Sequence, residues 1–432
     1  MSPRKEMRLY LGAFLFWYLF LINPQNSLVD GQEFWGLLFY FAIPSVFFFL
    51  VLKAYLQSSK KPLSGFDLIL FFLVAFLGRV SSLLPPPLFE NDFRRFVFDA
   101  NLLLNSLNPY IISPEQYIQT GGPLSSMALQ VDWGYLPTIY PPLAQAYFVL
   151  SQYLAPEALG FYLLNFFSEL SIFFLGIFLF KKWQKRELWI LCWGLSPLIS
   201  KEIVNSLHYD HLPAILILTA IALRRRPTLA GACIGAASSL KLFPLIVVPL
   251  LWVQIKSRRK FLAGFFLALA IPQAALSFFL GTYPYLGSLD TFLQDWLWNA
   301  PFHMLLRTVF SKTLTQSLLL LIFALSYILI FLKLKRRSLH IQDGLLLALL
   351  IFLLSSSVIQ PWYIVWLIPI GIYNQWKAFL LLHPFIFLSY LGFWENTQWS
   401  SINGTGLALQ GLVWIYLIYD LKKSIAASKL PA

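Results

Sequence analysis

The feature that most limits this chain is a succession of apolar runs, many of them close to the 20 or so residues a helix needs to cross a bilayer, separated by short clusters of lysine and arginine. Residues 9–22, 34–56, 66–84, 158–180, 188–204, 212–223, 261–280, 314–332 and 345–358 are such runs. With 58% of the 432 residues hydrophobic and 12% charged, too little polar surface remains to cover a water-soluble globule. The expected fold class is therefore an all-α polytopic membrane protein. A net charge of +13 would raise the question of nucleic acid in a soluble protein. Here the basic residues fall between apolar runs and read as topology signals, so no nucleic-acid partner is expected. Cys192 and Cys233 both lie in apolar surroundings and imply neither a disulfide framework nor a metal-ligand spacing. Arg4, Lys5 and Arg8 precede the first run as in a signal peptide, but no small-residue cleavage site comes before Asn23, so an uncleaved first helix is expected.

Loops rich in Lys and Arg stay in the cytoplasm. Residues 23–33 carry neither and belong outside, whereas Lys53, Lys60 and Lys61 put the next connection inside. The run 66–84 then crosses outward, which makes the long polar stretch 85–141 an outer loop. Residues 142–154 are too short for an ordinary crossing and, with Lys181, Lys182, Lys185 and Arg186 ending the next run, read as a partial or re-entrant helix beside a cavity. Residues 228–255 have basic clusters at both ends, which suggests a hairpin of two short helices broken at Pro244 with Lys241 at its tip. Short spans near 364–373, 379–391 and 407–419 complete about twelve crossings plus two partial ones, with both termini cytoplasmic. This divides the chain into an N-terminal transmembrane pair (1–65), a central module with its outer loop (66–310) and C-terminal helices (311–432).

On that topology the polar clusters that are not simple basic loops fall on the outer face. They are Glu90 to Asp99, Trp133, His208 to His211, Lys241, Asp290 to Trp298 and Gln360 to Tyr363. The pattern Glu90-x-Asp92-x-x-Arg95-Phe96-x-x-Asp99, then Asn108-Pro109-Tyr110 and Leu136-Pro137-Thr138-Ile139-Tyr140-Pro141-Pro142, resembles the first outer loop of bacterial mannosyltransferase-type members of the GT-C superfamily. Ser196-Pro197 to His208-x-Asp210, Ser239 to Pro244, Trp298-Asn299-Ala300-Pro301 and Gln360-Pro361-Trp362-Tyr363 extend the resemblance in order over about residues 66 to 375. Asn91, Phe96 and Ala100 depart from the Asp, Tyr and Gly usual there.

The resemblance implies a GT-C type helical bundle and transfer of a hexose, with mannose the expected sugar, from a polyprenyl phosphate to a lipid or glycan acceptor. Such an inverting transfer needs a carboxylate to take the acceptor's proton and cations to hold the departing phosphate. The resemblance makes Asp92 the base, with Glu90 and Asp99 in reserve. Arg94, Arg95 and Lys241 are the phosphate candidates because they break the rule that positive charge stays inside, as do Lys201 and Arg307; Lys241 is the strongest, an unpaired charge among apolar neighbours. Glu90, Asp99, His208, Asp210, Tyr140, Gln360, Trp362 and Tyr363 are the sugar- and acceptor-binding candidates. Competing roles stay open: Asp99 as a cap or on a shared helical face with Asp92 and Arg95, Arg95 paired with Asp92 or Asp99, His208 and Asp210 as helix caps, and the aromatics as an interfacial belt. No cofactor and no metal site is expected, since His208, Asp210 and His211 alone make a weak metal pattern. No glycine-rich phosphate loop supports a nucleotide-sugar donor. The expected location is a bacterial inner membrane, or the endoplasmic reticulum in a eukaryote, with the site facing the periplasm or outside. A transporter or flippase of lipid-linked sugars is the alternative, against which stands the lack of an evident inverted repeat.

Overall fold

The computed structural model describes residues 1–22, 35–36, 38–58, 62–281, 288–291, 296–393 and 404–427. The described residues are helical with no strand ladder; one isolated bridge joins Trp298 to Val358. Five helices are long and apolar enough to cross a membrane: Leu38–Gln57, Gly65–Ser82, Glu157–Lys182, Arg258–Leu280 and Lys312–Lys335. Their outward faces carry large apolar side chains, such as Phe278 at 84% exposure and Phe279 at 79%, as contact with lipid tails requires.

Helices of that length do not reach the expected count of about twelve, and proline explains much of the difference. The apolar run 188–204 is cut at Ser196-Pro197 into Arg186–Cys192, Pro197–Ile199 and a π-helical turn at Ser200–Asn205. Residues 361–393 form a 3-10 turn at Pro361–Leu367, helices Ile368–Asn374 and Lys377–Leu382, and a 3-10 stretch at His383–Phe393. Pro197, Pro361 and Pro369 each sit in a first turn, where the missing N–H is not needed. The expected connections at 23–33 and at Lys60 and Lys61, and parts of 281–301, lie outside the described residues.

Pro142–Leu154 is a short helix of 13 residues, as its length in the sequence suggested. The second broken segment differs in detail. Helix Pro227–Leu240 ends at Lys241, whose backbone is extended (φ −146°, ψ 153°), and Pro244 lies in the first turn of the 3-10 element Phe243–Ile246 that leads into Val247–Gln254. The break therefore falls three residues before the proline.

Close helix packing is made possible by small residues. A Cβ on Gly231 would stand 1.9 Å from the Phe261 carbonyl oxygen, and one on Gly264 would stand 2.0 Å from that of Thr228. Pro227–Leu240 and Arg258–Leu280 thus touch backbone to backbone, the contact that small residues four apart allow in lipid.

Buried charge ties the bundle together at two levels. Arg4 and Arg8 of helix Pro3–Ile22 reach Asp67 at 2.7 and 2.6 Å, and Asp67 also closes a capping box with Ser64 at the start of Gly65–Ser82. Farther along, Arg79 grips Glu169 of Glu157–Lys182 through two bonds of 2.8 and 3.2 Å and also donates to the Gly194 and Trp193 carbonyls. Glu169 accepts a third bond from Trp193 at 3.0 Å, so neither charge is left unmet.

Above these pairs the chain leaves the bundle. The Asn205 side chain donates to the carbonyls of Ser82, Pro85 and Pro86 and accepts from Leu88 N–H, which fixes the entrance to the long loop. The loop's main helix, Asp92–Leu104, is then pinned by Phe96, stacked on Phe148 at 4.6 Å and set edge-on to Tyr140 and Tyr209. Gly231→Ala should lower the thermal unfolding midpoint of the detergent-solubilised protein, at a cost of about 1–3 kcal/mol for overpacking. Gly12→Ala, with open space around it, should not; equal midpoints would contradict the backbone contact.

Candidate active site

Two turns in strained backbone deliver site residues. Phe89 (φ 58°) precedes Glu90, and the fully buried Leu207 (φ 65°) precedes His208. A bulky residue in the left-handed region costs on the order of 1–3 kcal/mol and persists only where its surroundings hold it. At 207 the hold is visible: Asn165 donates to the Ile203 and His208 carbonyls while accepting a 2.6 Å bond from Tyr147, and His208 N–H donates to the Glu202 carbonyl. His208 thereby enters flat against Trp362, ring centres 3.7 Å apart.

The segment that carries Trp362 is placed by a second junction. Trp298 N–H donates to the Ser357 carbonyl, Ile359 N–H donates to that of Trp298, and Asn299 donates to that of Ile359. The following Pro361–Leu367 turn has three residues per turn, so side chains three apart eclipse. Tyr363 stacks over Trp366 at 4.3 Å, and Trp366 in turn over Phe243 at 3.7 Å.

Between these elements lies a cavity of about 400 Å³. One part of its wall is polar, with Asn91, Asp92, Arg95, Tyr140, His208, Lys241, Gln360, Trp362 and Tyr363. Another part is apolar, with Leu242, Phe243, Ile246, Phe352 and Leu353, and the rim adds Asp132, Trp133 and Trp296. Eight of the twelve residues singled out in the sequence therefore meet here, although they span residues 92 to 363.

The other four stand behind or beside the wall. Asp210 is fully buried under Lys241: the ammonium lies 2.7 and 2.8 Å from its two oxygens, and Trp366 Nε1 donates to it at 2.6 Å. Its position is that of a counter-ion to Lys241, and although it stands at the N-cap of helix His211–Ala222 its side chain makes no capping hydrogen bond. Asp99 is buried among Gln145 and Thr138 and stands 3.8 Å from Arg95, an ion pair without a hydrogen bond. Arg94 turns away and donates to the Gln130 carbonyl. Glu90 accepts a 3.1 Å bond from Tyr390. Of the further cations considered, Arg307 is exposed away from the cavity and Lys201 is buried beside Glu202 and Tyr390.

Burial raises both loop-helix carboxyls. Asp92 is pushed up to about 6, with the Lys241 charge opposing the rise, and Asp99 is pushed up to about 6 against the nearby Arg95. Asp92 also begins the helix Asp92–Leu104, where a negative charge meets the helix dipole favourably. Among the described residues it has neither an ion-pair partner nor a hydrogen-bond partner, which leaves its oxygens to the cavity. Gln360 presents a buried Oε1 that likewise has no hydrogen-bond partner among the described residues.

Tyr390, Glu202 and Trp366, which the structure places around these groups, are not marked by any pattern in the sequence. Tyr390 arrives from the 3-10 stretch His383–Phe393, where nothing but a hydroxyl in an apolar run signals a role. Its oxygen receives a 2.6 Å bond from Lys201 and lies 3.1 Å from both Glu90 and Glu202.

The family model of glycosyltransferase family 87, a family of GT-C-type membrane glycosyltransferases, matches residues 138–357, about half of the chain. No curated protein and no solved structure matches. The matched segment includes Tyr140, His208, Asp210 and Lys241, whereas the loop helix with Asp92 and Arg95 and the turn with Trp362 join them through the fold.

Removing one member of the Lys241 and Asp210 pair strands the other charge in a buried setting, which costs about 3–5 kcal/mol. Asp210→Ala should therefore unfold well below the wild-type midpoint in a detergent thermal melt. Asp210→Asn combined with Lys241→Gln should recover part of that loss, and additive single and double effects would show the two groups to be uncoupled.

Proposed function

The chain belongs to glycosyltransferase family 87, and we propose that it transfers a hexose, with mannose the expected sugar, from a polyprenyl phosphate to a lipid or glycan acceptor on the extracytoplasmic face. The observation that carries this reading is a single cavity with an apolar side, suited to a prenyl chain, and a polar side on which Asp92 stands without an ion-pair partner among the described residues. Family membership supports a membrane glycosyltransferase over a flippase of lipid-linked sugars.

In the proposed reaction Asp92 takes the proton of the acceptor hydroxyl as that oxygen attacks the anomeric carbon. The bond from that carbon to the phosphate oxygen breaks, its electron pair leaves with the phosphate, and the configuration inverts. Lys241, already turned by Asp210, keeps a third N–H for a phosphate oxygen, and Arg95 adds a second cation on the same wall. Gln360 offers its buried Oε1 to a sugar hydroxyl, and Tyr140, Trp362 and Tyr363 give the ring flat surfaces. Asp99 and Asp210 serve by fixing the two cations rather than by touching sugar. The excess of Lys and Arg in the remaining connections supports placing this wall on the side away from the cytoplasm.

Membranes containing the protein, supplied with radiolabelled polyprenyl-phosphate mannose or glucose and extracted lipids and glycans, should form a labelled glycosidic product. Asp92→Asn should lower the rate by about 10²-fold or more while the protein stays inserted and folded. Unchanged turnover in that variant would remove Asp92 as the base.

A further inference from the structure

The charges around the cavity do not balance by pairing. Lys241 is matched by Asp210 at 2.7 Å, Arg95 by Asp99 at 3.8 Å and Lys201 by Glu202 at 3.4 Å. Each nearby cation is thus met by an acid of its own, and Glu90 and Asp92 are left over, with no Lys or Arg at ion-pair distance among the described residues. An incoming donor would bring a further negative charge to the same place. Leaving adjacent carboxylates and a phosphate uncompensated in a partly desolvated pocket is unfavourable.

A third group completes the pattern. One ligand atom each of Glu90, Asp92 and His208 lies within 4.8 Å of the other two. His208 is 1% exposed and its Nε2 has no hydrogen-bond partner among the described residues, a buried nitrogen that lacks a partner. The ring is held in place by Trp362 on its face and by Asn165 at its carbonyl, and Glu90 is held by the Tyr390 hydroxyl.

We propose that Glu90, Asp92 and His208 form a divalent-cation site, taking Mn²⁺ or Mg²⁺, that receives the phosphate of the lipid-linked donor; the inference rests on the transferase reading above. Two carboxylate oxygens and an imidazole suit a hard to borderline ion such as Mn²⁺, and three protein ligands leave the rest of an octahedron to phosphate oxygens and water. The present spacing is slightly open, and a small closure of the side chains would bring bonds of about 2.1 Å. Each residue contributes one atom, so the second oxygen of Asp92 stays available for the acceptor's proton. The Tyr390 hydroxyl on Glu90 is the kind of outer contact that orients a metal's ligand. In the sequence His208, Asp210 and His211 make only a weak metal pattern, with no third histidine nearby. His211 instead bonds Ser168 at 2.7 Å, and the partners of His208 come from more than a hundred residues upstream.

The test uses the full chain in detergent or nanodiscs, stripped with a chelator and titrated with MnCl₂ alone, with free Mn²⁺ read by electron paramagnetic resonance. The expected result is one saturable Mn²⁺ per chain, weakened on the order of 10- to 100-fold in Glu90→Gln and in His208→Gln, a scale typical even of residues that only support a metal's ligands. Both variants are checked for wild-type thermal unfolding, and a variant that fails this check is replaced by the conservative Glu90→Asp. No saturable binding to the wild type, or equal affinity in the folded variants, overturns the site. Undiminished sugar transfer in excess chelator also overturns it while leaving the transferase reading intact. Absence of any glycosidic product with or without Mn²⁺ would instead count against that reading, with the Mn²⁺ titration scored independently.

Discussion

Charge that is matched before it is buried is the constraint on which this molecule is built. Its exterior is apolar along the five helices long and apolar enough to cross a membrane, so an ionised side chain can be kept inside only where another group meets it. Arg79 and Glu169 do this between two of these helices, and Lys241 and Asp210 do it at the cavity wall. The first pair is enclosed and also bonded to backbone carbonyls, which suits a tie. The second faces open volume with an N–H to spare, which suits a tool.

The same division governs the backbone. Where helices face lipid they run unbroken, as in Glu157–Lys182 and Lys312–Lys335, because an unpaired N–H or carbonyl has no water to turn to. Where they face the cavity they are interrupted, at Lys241 and at Pro361, and the interruptions turn side chains inward that a regular helix would spread around its circumference. The eclipsed stack of Tyr363 on Trp366, which ends by anchoring Asp210, exists because Pro361–Leu367 is wound with three residues per turn.

Much of this was legible in the chain itself. Apolar run length and the placement of lysine and arginine announced a helical membrane protein, and two members of the cluster Glu90 to Asp99, Asp92 and Arg95, do line the cavity. Lys241 stood out because a lone charge among apolar neighbours is costly to keep unless something meets it. The number of long spans was less legible, since hydropathy responds to composition and not to whether a proline splits a run into short turns. The pairing of Asp210 with Lys241 was not legible, since the two stand 31 positions apart and meet only through the fold. Tyr390 left no trace, since its partners Glu90, Lys201 and Glu202 are brought to it only by tertiary packing.

The bond from Tyr390 to Glu90 joins residues 300 positions apart. Ribosomal synthesis therefore delivers the acidic loop long before the hydroxyl that steadies it. During that interval the nascent polypeptide carries Glu90 without the hydroxyl that will hold it, and the contact closes only when the segment around residue 390 folds back onto the loop. A chain stopped short of that point would keep the acidic loop and lose its tether.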